Sequence, residues 1–559
     1  MLLKSNSNAI AFVGGTVVLR VKEGQYERVR ADIVFKDGII QEIYKYSGEA
    51  DENFTGKIKN DFGNETLIIN MDRECIIFPG LIDLHNHFDY NTMPLWERPI
   101  TQPWDNRHEW RHKNCKEYQD VIKNFYNFII KSWDNEKVAK VMRFLQFFSE
   151  VQAVSGGTTV LQEPSDIFYG DNPPKAEHML MRSTGVPQDL GFSLNQNVQS
   201  IIDFFKPNFD SDPDDKKYIP PLDTSSWQIK EAVNSATQKT YFQEYLELLK
   251  KPVEYIKENS GGYLVHLAEG RAGNLLKEKG IDAYSKKEFE YLKENIKKIP
   301  GYGEKVRASK LSIIHGCGID LNTSDNIRFI FECGIGLIWS PVSNLLLYDD
   351  TPDFFNKLYG SVRLCLGSDW APSGSKHLWD EGSFAQKYLL KHHPKDAVLS
   401  DKILEMMTYN PALTLNSNKL GDIKKGAFAD FYIVSKNRRL YLDGAPLGDI
   451  FFYSDYHTVG TVINGNLIYG IKDLFDKWGQ SGVSIACDGK EAKEHMVHIP
   501  PQIGINTEKD FEEALKTVDT LFAAYSKEIG KSFVRSKILT ANDEPYSKQI
   551  KKLCDKFNL

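Results

Sequence analysis

The stretch Phe78-Pro79-Gly80-Leu81-Ile82-Asp83-Leu84-His85-Asn86-His87 decides how the rest of the chain is read. A Pro-Gly pair opens an apolar run of buried-strand type, and the run ends in two histidines at i and i+2. Side chains along a strand repeat every second residue, so His85 and His87 point the same way. Two imidazoles converging at a strand end can share one cation, and imidazole is a common ligand of Zn²⁺. An isolated H-x-H also fits mere surface polarity, so the reading depends on what else in the chain ends a strand in this manner.

Three further stretches do. They are Leu264-Val265-His266-Leu267-Ala268-Glu269, Ser312-Ile313-Ile314-His315-Gly316-Cys317 and Leu364-Cys365-Leu366-Gly367-Ser368-Asp369. Glu269, three residues after His266, suits a carboxylate that takes a proton from a water beside a cation and returns it to a leaving group. It equally suits an ordinary first-turn helix charge. His315 alone fits a core or loop histidine, and Asp369 beside Gly and Ser fits a helix N-cap. Ser340-Pro341-Val342-Ser343-Asn344 supplies short polar groups after another apolar run. Spacing favours one common site. His266 to His315 is 49 residues and His315 to Asp369 is 54; if these end strands 5, 6 and 8, the last two steps average about 27, close to the ~31 residues per unit of an eight-unit barrel.

Strand-like runs at Leu81–Leu84, Thr158–Leu161, Tyr263–Val265, Leu311–Ile314, Ile335–Trp339 and Arg363–Leu366 alternate with helical patterns such as Lys286–Lys298. That alternation predicts a parallel sheet, and residues at the C-terminal ends of barrel strands form the catalytic face. The first 78 residues read as β, with a hairpin signal at Asp37-Gly38. The pattern returns at Phe431–Val434, Val459–Ile463 and Leu467-Ile468, with Asn464-Gly465 between the last two. The expected fold is therefore α/β. A distorted TIM (β/α)₈ barrel spans 79–415, a β-sandwich is assembled from both chain ends (1–78 and 416–470), and a C-terminal helical extension covers 471–559. In that extension Phe511, Leu515, Val518, Phe522 and Tyr525 fall on one face of a helix from Glu508 to Ile529, which predicts docking on the barrel or on a partner subunit.

Composition bounds the function. A length of 559 residues would by itself suggest about three to five domains. With 69 Lys+Arg against 76 Asp+Glu, the net charge of −7 disfavours nucleic acid as a partner. Apolar residues at 41% support a large core, but no run reaches the ~20 residues of a membrane span. Ala9 to Leu19 is broken by Gly14-Gly15 and reads as mature protein, not a signal peptide. Seven scattered cysteines without C-x-x-C fit reduced thiols and a cytoplasmic location. A small-molecule substrate is the expected partner, and a homo-oligomer is possible.

Taken in order, PGLIDLHNH (79–87), SGGTTV (155–160), HLAEG (266–270), HGCGI (315–319), SPVSNLLL (340–347), LGSDWAPSG (366–374) and the late NPALTLN…LGDIKKGAFADFYIV (410–434) resemble the amidohydrolase superfamily. The likeness is to its cytosine-deaminase-like branch, which includes chlorohydrolases. The resemblance covers about residues 10 to 470 and implies the barrel-plus-sandwich fold read above. It implies that His85, His87, His266 and Asp369 hold one divalent metal ion, zinc or iron. Glu269 would move protons, His315 would orient the hydroxide or polarise the substrate, and Asp369 would also accept a proton from the attacking water. The implied activity is hydrolysis of a C–N bond other than a peptide bond by a metal-activated hydroxide, most simply deamination of a small cyclic or heteroaromatic compound. The same site would serve dechlorination or opening of a cyclic amide. A non-catalytic scaffold is a third reading, against which all the ligands are intact.

The chain departs from that family in two places. Binuclear members carry a lysine at the end of strand 4, where no lysine of this chain is placed, and the H-x-x-E spacing of His266 and Glu269 favours the mononuclear type. The insertion 88–135, with Trp96, Trp104, Arg107, Trp110 and Arg111, either reads the substrate or packs as a lid. Asn195-Gln196-Asn197 could reach the site from strand 3. His108 and His112 lie near the site in sequence terms but fit lid packing better, and the remaining histidines fit structural or solvated roles.

Overall fold

The computed structural model describes residues 8–46, 54–71, 75–96, 103–111, 118–162, 178–184, 186–190, 199–201, 262–393, 398–435, 458–485, 495–499, 507–537 and 544–559, with a few single positions between them. Asn195 to Asn197, His112, His457 and Cys487 fall outside the described residues.

Nineteen strands are described. The N-terminal six are β1 (Ile10–Val13), β2 (Thr16–Lys22), β3 (Gln25–Lys36), β4 (Ile39–Lys45), β5 (Leu67–Asn70) and β6 (Cys75–Pro79). Eight follow in the middle: β7 (Leu81–Asp83), β8 (Thr158–Leu161), β9 (Arg182–Ser183), β10 (Gln199–Ile201), β11 (Tyr263–Leu267), β12 (Leu311–His315), β13 (Gly336–Trp339) and β14 (Leu364–Leu366). The last five are β15 (Phe431–Ser435), β16 (Thr458–Ile463), β17 (Asn466–Ile471), β18 (Val483–Ser484) and β19 (His495–Val497).

The middle eight are all parallel. They form one sheet in the order β7-β8-β9 and another in the order β10-β11-β12-β13-β14. A parallel bridge between Asn86 and Asp369 brings the ends of β7 and β14 together. Alternation within each strand explains why these runs are apolar throughout: both faces are buried. Leu311 and Ile313 of β12, Leu337 and Trp339 of β13, and Leu364 and Leu366 of β14 belong to the cluster that also contains Phe289, Leu292 and Phe329 of the flanking helices. The intervening Ile314, Ile338 and Cys365 join Ile82, Val160 and Leu264 in a second, inner cluster. Strands of both parallel sheets thus contribute to one buried cluster.

The strands from the two chain ends are mutually paired. β6 runs antiparallel to β15 and parallel to β2, so Phe78 faces Tyr432 across the junction. Phe12, Val17, Ile33, Phe35, Ile77, Phe431, Ile433 and Leu467 share one buried core. Both expected hairpin turns are present: Asp37 and Gly38 have φ of 52° and 73°, and Asn464 and Gly465 have φ of 53° and 71°. Asn, Asp and Gly tolerate this left-handed backbone best. Gly157 of the SGGTTV motif has φ +82° and lies against the Tyr432 ring, where a β-carbon would collide.

Helix Glu508–Ile529 has the expected bounds, opened by a Thr507/Asp510 capping box. It docks within its own chain: Phe511, Val518, Phe522 and Tyr525 pack with Phe125, Phe147 and Phe148. Those partners come from helices Asn124–Ser132 and Asn135–Ser155. The extension is not helical alone. β19 pairs with β17 and β18, covering what would otherwise be an exposed sheet edge. A second tail helix, Glu544–Phe557, carried no sequence expectation. Among the described residues no helix is long and apolar enough to cross a membrane.

Candidate functional site

Each predicted site residue lies at or just beyond the C-terminal end of a parallel strand: His85 and His87 after β7, His266 within β11 and Glu269 after it, His315 ending β12, Asp369 after β14. His266 continues the inward face of Leu264, as strand alternation requires. Tight turns then re-aim the chain. Ala268, His315 and Asp369 have φ of 57°, 66° and 61°, conformations that cost about 1–3 kcal/mol each and concentrate at functional sites. Gly367 permits close approach, since a β-carbon there would lie 2.5 Å from His85 Cβ.

The structure brings all six residues together. His266 Nε2 lies 3.0 Å from His85 Nε2 and 3.2 Å from His87 Nε2. Asp369 Oδ1 is 3.2 Å from His85 Nε2 and 3.8 Å from His87 Nε2. His315 Nε2 sits 3.6 Å from Glu269 Oε2 and 4.0 Å from Asp369 Oδ2. His85, His266, Glu269, His315 and Asp369 are all buried, whereas His87 is partly exposed at 24%.

This donor set fits a divalent cation. Tetrahedral Zn²⁺ with ligand bonds of ~2.0–2.1 Å separates its donors by about 3.4 Å, and the four separations above bracket that value. Burial pushes the His85 imidazole down to about 4, and burial together with the neighbouring imidazoles holds His266 well below its ordinary value. Both rings are therefore neutral near pH 7 and offer lone pairs. Burial opposes the charge on Asp369, but the His85, His315 and His87 rings outweigh it and hold its carboxyl well below the usual carboxylate range. Two overlapping trios among the described residues place their ligand atoms within 4.8 Å of one another, His85 with His266 and His315, and His85 with His87 and Asp369.

Surrounding hydrogen bonds orient the set. Ser340 Oγ meets His85 Nδ1 at 2.8 Å, leaving Nε2 turned inward. Asn344 Oδ1 lies 3.3 Å from His315 Nδ1. Both partners come from the SPVSN stretch, which the sequence already placed on this face. Asp83 was not singled out in advance. Its carboxylate accepts from the backbone N–H of His85 and of Ser368, each at 3.3 Å, and Asn86 Nδ2 donates to Ser368 Oγ at 2.7 Å. These contacts tie the ends of β7 and β14 together. Burial pushes the Asp83 carboxyl up to about 7.

Glu269 has two further partners, Arg107 from the insertion already singled out and Tyr348, which the sequence did not flag. Tyr348 Oη donates to Glu269 Oε1 at 2.6 Å, Trp110 Nε1 donates to Tyr348 Oη at 2.9 Å, and Arg107 Nη1 lies 3.9 Å from Glu269 Oε2. Within the insertion Trp96 packs on Trp104 and Trp110, and Trp110 stacks on Trp370. His108 meets Glu288 at 3.0 Å, a packing contact away from the histidine cluster. His178 is buried between Glu150 and the Gln162 carbonyl, in keeping with the structural role expected of it.

Against this geometry, the model of the amidohydrolase family matches residues 168–468. The chain belongs to the amidohydrolase family. Among curated amidohydrolase relatives, the 5-methylthioadenosine/S-adenosylhomocysteine deaminase of Clostridium tetani is 26% identical over 412 residues, covering 72% of this chain and 82% of its own. The 5′-deoxyadenosine deaminase of Methanococcus maripaludis (strain C6) is 22% identical over 495 residues, covering 85% and 95%. Among solved structures, an adenosine deaminase from Xanthomonas campestris with bound zinc superposes with a TM-score of 0.52 at 15% identity, covering 92% of this chain and 98% of that one. A triazine hydrolase from Arthobacter aurescens gives 0.50 at 14% identity, covering 82% and 94%. These likenesses place this amidohydrolase in a TIM-barrel-type α/β fold. The protein is a hydrolase of carbon–nitrogen bonds other than peptide bonds, and its donor cluster suits a divalent metal.

Proposed function

We propose that the chain is a mononuclear, metal-dependent aminohydrolase that removes an exocyclic amino group from a heteroaromatic ring, with 5′-modified adenosines as the substrate class. The observation that carries this reading is the convergence of His85, His87, His266 and Asp369 with Glu269 and His315 poised beside them. The deaminase relatives, which span most of this chain, support the substrate class.

In this reading His85, His87, His266 and Asp369 hold one zinc or iron ion, which when bound polarises a water and makes it nucleophilic at neutral pH. Glu269 takes one proton of the attacking water at Oε2 and passes it to the ring nitrogen, where it stays; the second proton, received by Asp369, leaves with the departing amine as ammonia. His315, anchored through Nδ1 by Asn344, presents Nε2 between Glu269 and Asp369 and orients the attacking oxygen. Asp369, kept ionised by the imidazoles around it, accepts the second proton. The lid of Trp96, Trp104 and Trp110 excludes bulk water.

The same reading closes the eight parallel strands into one barrel over 79–415. It makes 1–78 with 416–470 a β-sandwich, and 471–559 an extension clamped onto the insertion helices. The test is ammonia release by zinc-loaded protein from 5′-methylthioadenosine, S-adenosylhomocysteine and 5′-deoxyadenosine. Release abolished by chelation is the expected result. Absence of ammonia from all three sinks the substrate assignment, and chloride release from a chlorotriazine would move the reading to dechlorination.

A further inference from the structure

We propose that Tyr348 is a positioning residue that divides the labour of the two Glu269 oxygens, and that Trp110 sets Tyr348 in turn. The inference rests on the proton-transfer role proposed above for Glu269. Tyr348 is the last residue of helix Pro341–Tyr348, and its side chain is fully buried. Its hydroxyl lies 2.6 Å from Glu269 Oε1 and 2.9 Å from Trp110 Nε1.

The direction of both bonds follows from chemistry alone. An indole N–H can only donate, so the phenol oxygen accepts from Trp110. The phenol proton is then left for Glu269, whose ionised carboxylate can only accept. Burial, followed by the nearby Glu269 charge, pushes the Tyr348 phenol well above its ordinary value, so it stays a donor throughout turnover. Oε1 is engaged by Tyr348, so Oε2 is the oxygen turned toward the histidine cluster and takes the arriving proton. That oxygen faces His315 Nε2 at 3.6 Å and Arg107 Nη1 at 3.9 Å. A proton taken up at Oε2 is delivered from Oε2, and Tyr348 keeps its own.

Trp110 is itself braced. Its ring stacks on Trp370 with centroids 5.6 Å apart and planes at 25°, and Trp370 directly follows Asp369 in the chain. One indole from the insertion therefore steadies both carboxylates of the site, through a hydrogen bond on one side and a ring face on the other. Short, charge-assisted bonds of this kind are about twice as strong as neutral ones, and small losses of alignment are costly to proton transfer.

The experiment uses zinc-loaded full-length protein with 5′-methylthioadenosine as the probe. Tyr348→Phe keeps the ring and removes the donor. The expected result is a fall in kcat of about 10–100-fold, with KM within about twofold and zinc per chain unchanged. Trp110→Phe should lower kcat less, and the double variant should be no slower than Tyr348→Phe alone. A kcat within twofold of wild type, or a loss confined to KM, overturns the positioning role. Multiplicative losses in the double variant overturn the link through Trp110. If wild type releases no ammonia from any adenosine, only the substrate assignment fails. Crystal structures of zinc-loaded wild type and Tyr348→Phe then decide: a Glu269 carboxylate that leaves its rotamer supports the positioning role, and an unmoved one overturns it.

Discussion

His266 Nε2 stands 3.0 Å from His85 Nε2 although 181 residues separate them in the chain. Both rings are buried and neutral, so their lone pairs repel unless a proton or a cation lies between them. Replacing His266 by Ala is expected to lower bound zinc at least tenfold, read by metal analysis of the purified variant. Stoichiometric zinc in that variant would remove His266 from the ligand set.

Glu269→Gln keeps the shape of the side chain and its bond from Tyr348 but cannot carry the proton. Turnover should fall by about 10²–10⁴-fold while zinc content stays at the wild-type level. Steady-state ammonia release combined with metal analysis checks this, and unchanged turnover would exclude Glu269 as the proton carrier.

The junction between the parallel strands and the composite sheet carries a buried ion pair. Arg182 of β9 meets Asp430 in a bidentate arrangement, Nε to Oδ2 at 2.7 Å and Nη2 to Oδ1 at 3.0 Å. Asp430 also accepts from the Asn464 backbone N–H at 2.7 Å. Arg182→Met leaves that carboxylate buried without its cation and should cost about 3–5 kcal/mol, visible in denaturant titration. A change below 1 kcal/mol would show that water or rearrangement compensates.

Glu109, in the insertion, gives a pH signature of its own. Burial pushes its carboxyl up to about 7, opposed by the Asp105 N–H it accepts and reinforced by the Asp105 charge. Its folded pKa lies above the unfolded value, so its contribution to stability is full below about 4.5 and is lost as pH rises through 7. Glu109→Gln keeps the acceptor and cannot ionise. The variant should gain on wild type between pH 5 and 8, by on the order of 2–3 kcal/mol at the upper end. Parallel stability curves across that range would contradict the assignment.

Much of this molecule could be read from local pattern. The short apolar runs of β12 to β14, the Asp37-Gly38 and Asn464-Gly465 turns and the one-faced helix Glu508–Ile529 are short-range signals, and each stands where the sequence puts it. The site histidines were visible for the same reason: a polar residue ending an apolar strand is locally anomalous. Asp83 escaped notice because a carboxylate inside LIDLHNH looks like part of the motif. Tyr348 escaped notice because an aromatic residue ending a helix is ordinary, and Trp110 was named only as one of several insertion residues, with no partner assigned. The tail strands β18 and β19 are two and three residues long, too short to show a period.

By itself the sequence determined the kinds of element and the chemical identity of the donors: histidines and carboxylates at strand ends, glycines where the chain must turn. Those follow from backbone sterics and from side-chain alternation, which act over a few residues. Only the tertiary structure decided which donors share a point and how each is held. That Ser340 turns His85, that Trp110 polarises Tyr348 toward Glu269, and that the tail helix packs on its own chain are contacts between segments far apart in sequence. Such contacts arise when both faces of the parallel strands are buried and every polar group left inside must find a partner.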